Sequence, residues 1–211
     1  MNVVTSIPAQ ASSVSIRVEP VQARSTARVN ALLDAARDTI HDVGYELLTT
    51  AMVAERAGAS IGTVYRYFPD RVAVLQALAA RNRDRVIHAV TTRLHEDKPA
   101  TVLAEIDTVL DTLVNVFRTE KGFRSLRVGD VLDIRPVTSP RSGNSEIARV
   151  ISDDLRERLG IRLDSAGRLA VETAVDVIDA LLGRAFLHSD KGDGTLIDEA
   201  RRMARLALAD I

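Results

Sequence analysis

Apolar positions along most of this chain recur at helical spacing. Val29, Leu32, Leu33, Ala36, Ile40 and Val43 follow one another at steps of 3, 1, 3, 4 and 3, which lays them along one stripe of a helix. Gly44 is placed to end that helix in a left-handed cap. Thr49 or Thr50 can cap a short second helix running to Ala57, Gly58 breaks it, and Ser60 opens a third helix to about Phe68. Asp70 then caps a long helix carrying Val72, Leu75, Leu78, Ala79, Val86 and Val90, which ends near Lys98-Pro99. The same reading predicts helices over 101–118, 123–132, 146–159, 165–188 and 196–210, separated by glycine- and proline-bearing breaks. No stretch keeps the alternation of a strand, and there is no repeat, so the expected fold class is all-α. Residues 1–23 mix Ser, Pro, Gln and Val without a helical period and read as a flexible arm; 135–145 read as a mobile loop.

Composition narrows the chemistry. With 211 residues, 46% hydrophobic and 27% charged, the chain has the make-up of a globular protein able to bury a sizeable core. It has no cysteine, which excludes disulfides, thiolate metal sites and cysteine nucleophiles. No apolar run approaches the roughly 18 residues of a spanning helix, and the N-terminus lacks a basic leader followed by an apolar block. A cytoplasmic protein without a membrane partner is expected. None of His41, His88, His95 and His188 forms an i, i+4 pair with another ligand-type residue in a recognised metal-binding pattern, and although His88 and His95, seven apart, fall on roughly one helix face, no metal is expected. No nucleophile stands with a base, and the glycines are scattered rather than gathered in a phosphate loop; neither an enzyme nor a cofactor is expected. Glu172, Asp176 and Asp179 line one stripe of the penultimate helix and read as a solvated face or an interface rim rather than as acid/base catalysts.

The net charge of −1 makes no global case for a polyanionic partner. Between Arg17 and Arg85, ten arginines face eight carboxylates, an excess of only two. The case for nucleic acid rests instead on residues 49–68. A helix-turn-helix needs a small residue where its helices touch, a residue tolerant of positive φ in the turn, and an apolar anchor on the second helix. Ala54, Gly58 and Val64 stand at those offsets, with Phe68 a turn beyond. The outward face of the second helix then carries Gly62, Thr63, Arg66 and Tyr67, the hydroxyls, guanidinium and small residues of a helix that enters a groove. A helical hairpin buried in some other bundle would share the small and apolar positions, but two tyrosines and an arginine need partners for their polar tips.

The stretch from Arg28 to Leu78 resembles the TetR family of transcriptional regulators. The resemblance is carried by Leu32-Leu33-Asp34-Ala35-Ala36, Gly44, Leu48-Thr49-Thr50, Val53-Ala54 and the run from Ala57 to Arg71, which includes Gly-Thr-Val-Tyr-Arg-Tyr-Phe-Pro. It implies an N-terminal three-helix helix-turn-helix DNA-binding domain over 24–70 and a C-terminal helical ligand-binding and dimerisation domain over 71–211. Carried over residue by residue, it implies that Thr50, Thr63, Tyr65, Tyr67 and Arg71 face phosphates of double-stranded DNA, and that Ile61, Gly62 and Arg66 face base edges. One departure is that the family usually has Lys-Glu after Phe-Pro where this chain has Arg71-Val72 after Asp70; Val72 loses an acid from the first helical turn, where it would favour the dipole.

The resemblance also implies a homodimer joined through the last two helices, released from a near-palindromic operator by a small-molecule effector. Leu181, Leu182, Met203 and Ala207 are the expected interface residues. The middle helices are expected to enclose the effector, with a lining of Leu110, Val114, Phe117, Phe123, Ile151, Ile178 and Phe186, and with His88, Asn115 and Arg127 as orienting groups. Few rings and no tryptophan make this lining better suited to an apolar or weakly polar ligand than to a flat cation. The competing classes are an all-α enzyme, against which the missing catalytic constellation stands, and a ligand-independent architectural DNA-binding protein.

Overall fold

The computed structural model describes residues 19–120, 123 and 143–211. Among them the chain forms α1 (Glu19–Val43), α2 (Thr50–Arg56), α3 (Ile61–Tyr67), α4 (Arg71–Asp97), α5 (Val102–Thr119), α6 (Gly143–Arg158), α7 (Ser165–Ala185) and α8 (Gly194–Ala207). The described residues contain no strand.

The helix starts follow side chains that accept a bond from an otherwise orphaned N–H of the first turn, a contact worth about 1 kcal/mol each. Thr49 accepts from Met52 N at 3.1 Å, Ser60 from Thr63 N at 3.2 Å and Asp70 from Ala73 N at 2.8 Å. Thr101, Asp164 and Asp193 do the same for α5, α7 and α8. α1 begins at Glu19, inside the 1–23 stretch read from its composition as an arm. Pro20 does not prevent this, since in a first turn its missing N–H has no intrahelical acceptor to forfeit. Residues 1–18, the predicted helix beyond Phe123 and the predicted loop up to 142 lie outside the described residues.

Two apolar cores result. The first joins α1, α2, α3 and the start of α4 through Leu32, Ile40, Leu48, Val53, Val64 and Leu75. The second joins the rest of α4 to α5, α6, α7 and α8 through Val90, Leu94, Phe117, Leu155, Ile178 and Ala200. Each fully buried large apolar side chain contributes about 1.5–3 kcal/mol. Asp34 on α1 adds a polar tie, pairing with Arg37 at 3.1 Å and with Arg81 on α4 at 3.0 Å. On the other body, Asn144 donates to Asp176 at 2.8 Å and the Ser145 hydroxyl donates to Glu172. Two carboxylates expected on a solvated stripe therefore pin α7 to α6.

Gly58 sits at φ +57°, and a Cβ there would meet nothing within 4 Å, so its requirement is one of backbone conformation alone. Gly58→Ala is expected to cost about 1 kcal/mol and to lower the melting temperature by about 2–4 °C. Gly58→Asn should cost less. A thermal melt unchanged by alanine would show that the turn adapts.

One buried ionic cluster has no counterpart in the sequence reading. Glu105, in the first turn of α5, is fully buried. Its Oε2 accepts from Arg158 on α6 at 2.7 Å, and its Oε1 is buried without a partner. Arg158 also donates from Nε to Asp154 at 2.8 Å and from its other terminal nitrogen to the Pro99 carbonyl. Burial, reinforced by the nearby charge of Asp154 and opposed by Arg158, pushes the Glu105 carboxyl up to about 8.

Candidate nucleic-acid interface

α2 and α3 meet at Ala54, whose burial leaves no room for a larger side chain without displacement. The turn between them closes with Gly58 N donating to Glu55 O at 3.1 Å and Ala59 N to Ala54 O at 2.9 Å. Val64 and Phe68 plug α3 into the first core. That fixes which way the rest of α3 points. Ile61, Gly62, Tyr65 and Arg66 are exposed, and positions one and four apart on so short a helix share a face. Arg66 makes no ion pair among the described residues. Tyr65 is 53% exposed, and its hydroxyl accepts a long 3.4 Å bond from Thr50 at the start of α2. Thr63 is half-buried, its hydroxyl 2.9 Å from that of Ser60.

Two expected contact residues are partly engaged inside the domain. The Tyr67 ring packs against the first core. Arg71 donates to the Tyr45 carbonyl at 2.7 Å, and its Nε is buried without a partner. Arg71 thus ties the start of α4 to the turn after α1. A guanidinium has five donors, so this bond leaves others to reach outward.

The residues expected around the effector separate into two groups. Leu110, Val114, Phe117, Phe123, Ile151, Ile178 and Phe186 all join the second core. Phe117 is its aromatic centre, edge-on to Phe123 at 5.0 Å and tilted against Phe186 at 5.1 Å between ring centroids. His88 and Asn115 are exposed instead. They face a groove of about 570 Å³ between α4 and α5 that also bears Thr92, Thr108 and Asp111. They stand apart because they lie on the outer stripes of these helices, away from Val90 and Phe117. Arg127 lies outside the described residues.

Of the expected interface residues, Leu181 and Ala207 are half-buried and Met203 is 38% exposed. Leu182 is 0% exposed and belongs to the second core, which corrects its assignment to the subunit surface. α7 has apolar residues on both sides, so spacing alone does not tell its inner stripe from its outer one. Leu206, exposed on α8, adds an apolar side chain one turn from Met203 that the sequence reading did not single out. Among the described residues no helix is long and apolar enough to cross a membrane.

A small helix-turn-helix module with an outward-facing recognition helix, carried on a larger helical body, defines a DNA-binding transcriptional regulator. Residues 32–78 match the family model described as bacterial regulatory proteins, tetR family, and residues 100–211 match that of the tetracyclin repressor-like C-terminal domain. The solved structure of a TetR-family transcriptional regulator from Streptomyces coelicolor is 34% identical, covers 86% of this chain and 98% of its own, and superposes with a TM-score of 0.71. The chain belongs to the TetR family. Two curated relatives match more locally. The HTH-type transcriptional regulator BetI of Klebsiella pneumoniae is 39% identical over 64 residues, 30% of this chain and 33% of that protein. The HTH-type transcriptional repressor KstR of Rhodococcus jostii is 42% identical over 55 residues, 26% of each. The chain thus spans a third or less of the length of these two relatives.

Proposed function

We propose that this regulator is a cytoplasmic homodimeric repressor, without enzymatic activity, that holds a near-palindromic operator and leaves it when a small apolar or weakly polar ligand binds. The observation that carries the reading is the outward face of α3, with Arg66 in no ion pair among the described residues and beside Tyr65, on a module joined to the helical body by the unbroken α4. The name of the relative KstR, a transcriptional repressor, supports the sign of the regulation. Two reading heads on a two-fold axis call for half-sites about one helical turn apart, ~34–36 Å. Leu181, Met203 and Ala207 supply the subunit contact. The ligand enters at the rings of Phe117, Phe123 and Phe186, which share their core with Val90 and Leu94 of α4. Occupancy favours a tilt of α4 that moves the heads out of register with the groove, a population shift between two arrangements.

The test is retention of a duplex carrying the protein's own upstream region, with and without apolar metabolites. Ligand-independent binding would leave an architectural protein, and no salt-sensitive shift would remove the DNA reading altogether. Within the DNA reading, Arg66→Ala should relax sequence preference by about 1–3 kcal/mol at one base pair per half-site. Tyr65→Phe should instead weaken binding evenly across sequences. Selection of bound fragments by each variant separates the two, and an unchanged motif with Arg66→Ala would reassign base reading to other residues.

A further inference from the structure

We propose that the groove between α6 and α7 binds a small polyanion, a molecule bearing two or more phosphate or carboxylate groups. The groove has a volume of about 660 Å³ and is lined by Arg149, Arg156, Arg162 and Arg168 against two carboxylates, Asp153 and Glu172. Small-molecule sites span roughly 300–1,000 Å³. Neither acid neutralises the whole set. Asp153 lies 3.2 Å from Arg149 and 3.0 Å from Arg156, and Arg156 also pairs with Glu157 at 3.1 Å, so the charge of these two arginines is compensated. Glu172 accepts the Ser145 hydroxyl. Among the described residues Arg162 and Arg168 pair with no carboxylate, and Arg168 is braced by donating to the Leu163 carbonyl at 2.8 Å. Ala148 and Leu163 give the groove an apolar wall, beside which charge is screened less than in open water.

The chemistry of the lining selects the ligand class. A guanidinium presents parallel N–H groups that match two oxygens of a phosphate or a carboxylate. The guanidiniums of Arg162 and Arg168, which pair with no carboxylate among the described residues, repel cations, and a neutral ligand leaves their charge uncompensated. A divalent or trivalent anion meets both conditions. The site shares no residue with the outward face of α3 or with the ring cluster around Phe117, so it stands whether or not the proposed effector is correct.

The experiment is titration calorimetry on the full chain with pyrophosphate and with citrate, the ionic strength held constant with sodium chloride. Saturable binding of one anion per chain is expected, and the tighter of the two identifies the oxygen source as phosphate or carboxylate. Arg162→Gln with Arg168→Gln should weaken that binding at least tenfold while leaving the anion-free melting temperature unchanged. Arg162→Gln alone should show the same direction should the double variant lose its fold. Arg66→Ala, on the other polyanion-binding face, should leave it untouched. Absence of saturable binding overturns the proposal. So does binding undiminished by the arginine variants, or a change in sedimentation of the double variant without any anion binding by the parent, which would make the groove a contact between copies.

Discussion

Above about pH 8, where the buried Glu105 carboxyl is ionised, Arg158→Ala is expected to destabilise the protein by about 3–5 kcal/mol, the cost of leaving a buried charge without its partner. For a chain of this size that lowers the melting temperature by about 10 °C. The reason lies in Glu105, which is fully buried and has Arg158 as the partner of its one bonded oxygen. Removing the guanidinium also strands the Pro99 carbonyl and Asp154. The loss should depend on pH, because the Glu105 carboxyl titrates at about 8 in the folded protein against 4.5 ordinarily. Between those values the folded state holds a proton that the unfolded chain has released, so this group's contribution to stability falls as pH rises through the window. Arg158→Ala should therefore cost less at the acid end, where Glu105 is neutral, than at the alkaline end. Glu105→Gln should flatten the parent's decline. Thermal melts across the window check both, and a parent profile that the glutamine leaves unaltered would remove Glu105 as the source.

Met203→Asp is expected to yield a folded monomer that has lost about 10²–10⁴ in operator affinity, the avidity that two linked reading heads supply. The side chain is exposed on α8, whereas Ile197, Ala200 and Ala204 face inward, so the charge meets water in the isolated subunit and apolar surface in the proposed dimer. Leu182→Asp is the control. That side chain is 0% exposed, so the same charge there should unfold the body rather than separate two intact subunits. Sedimentation and circular dichroism distinguish the outcomes. A Met203→Asp variant that stays dimeric with full operator affinity would place the interface elsewhere.

What the sequence made legible was local. Thr49, Ser60, Asp70 and Gly58 act within four residues of themselves, through a cap bond or a backbone angle, and the helix-turn-helix could be read almost residue by residue. What it hid was non-local. Glu105 stands in a first helical turn, where an acid is commonplace, and nothing near it points to Arg158 on α6. The inward bond of Arg71 to Tyr45 joins positions separated by two helices. For Leu182, and for His88 against Val90, periodicity placed residues on a helix, but only packing decided which stripe turned inward.

Among the described residues the two apolar cores have no residue in common, and α4 is the one helix that contributes buried side chains to both, with Leu78 as its last in the first and Val86 as its first in the second. A lineage can therefore remake the body around Phe117 and Ile151 while Val53 and Val64 go on packing as before. Chimaeras joined between Leu78 and Val86 need only preserve the rotational phase of a single helix. One inserted residue would turn the reading head by about 100° relative to the body, whereas seven, close to two full turns, would nearly restore its bearing.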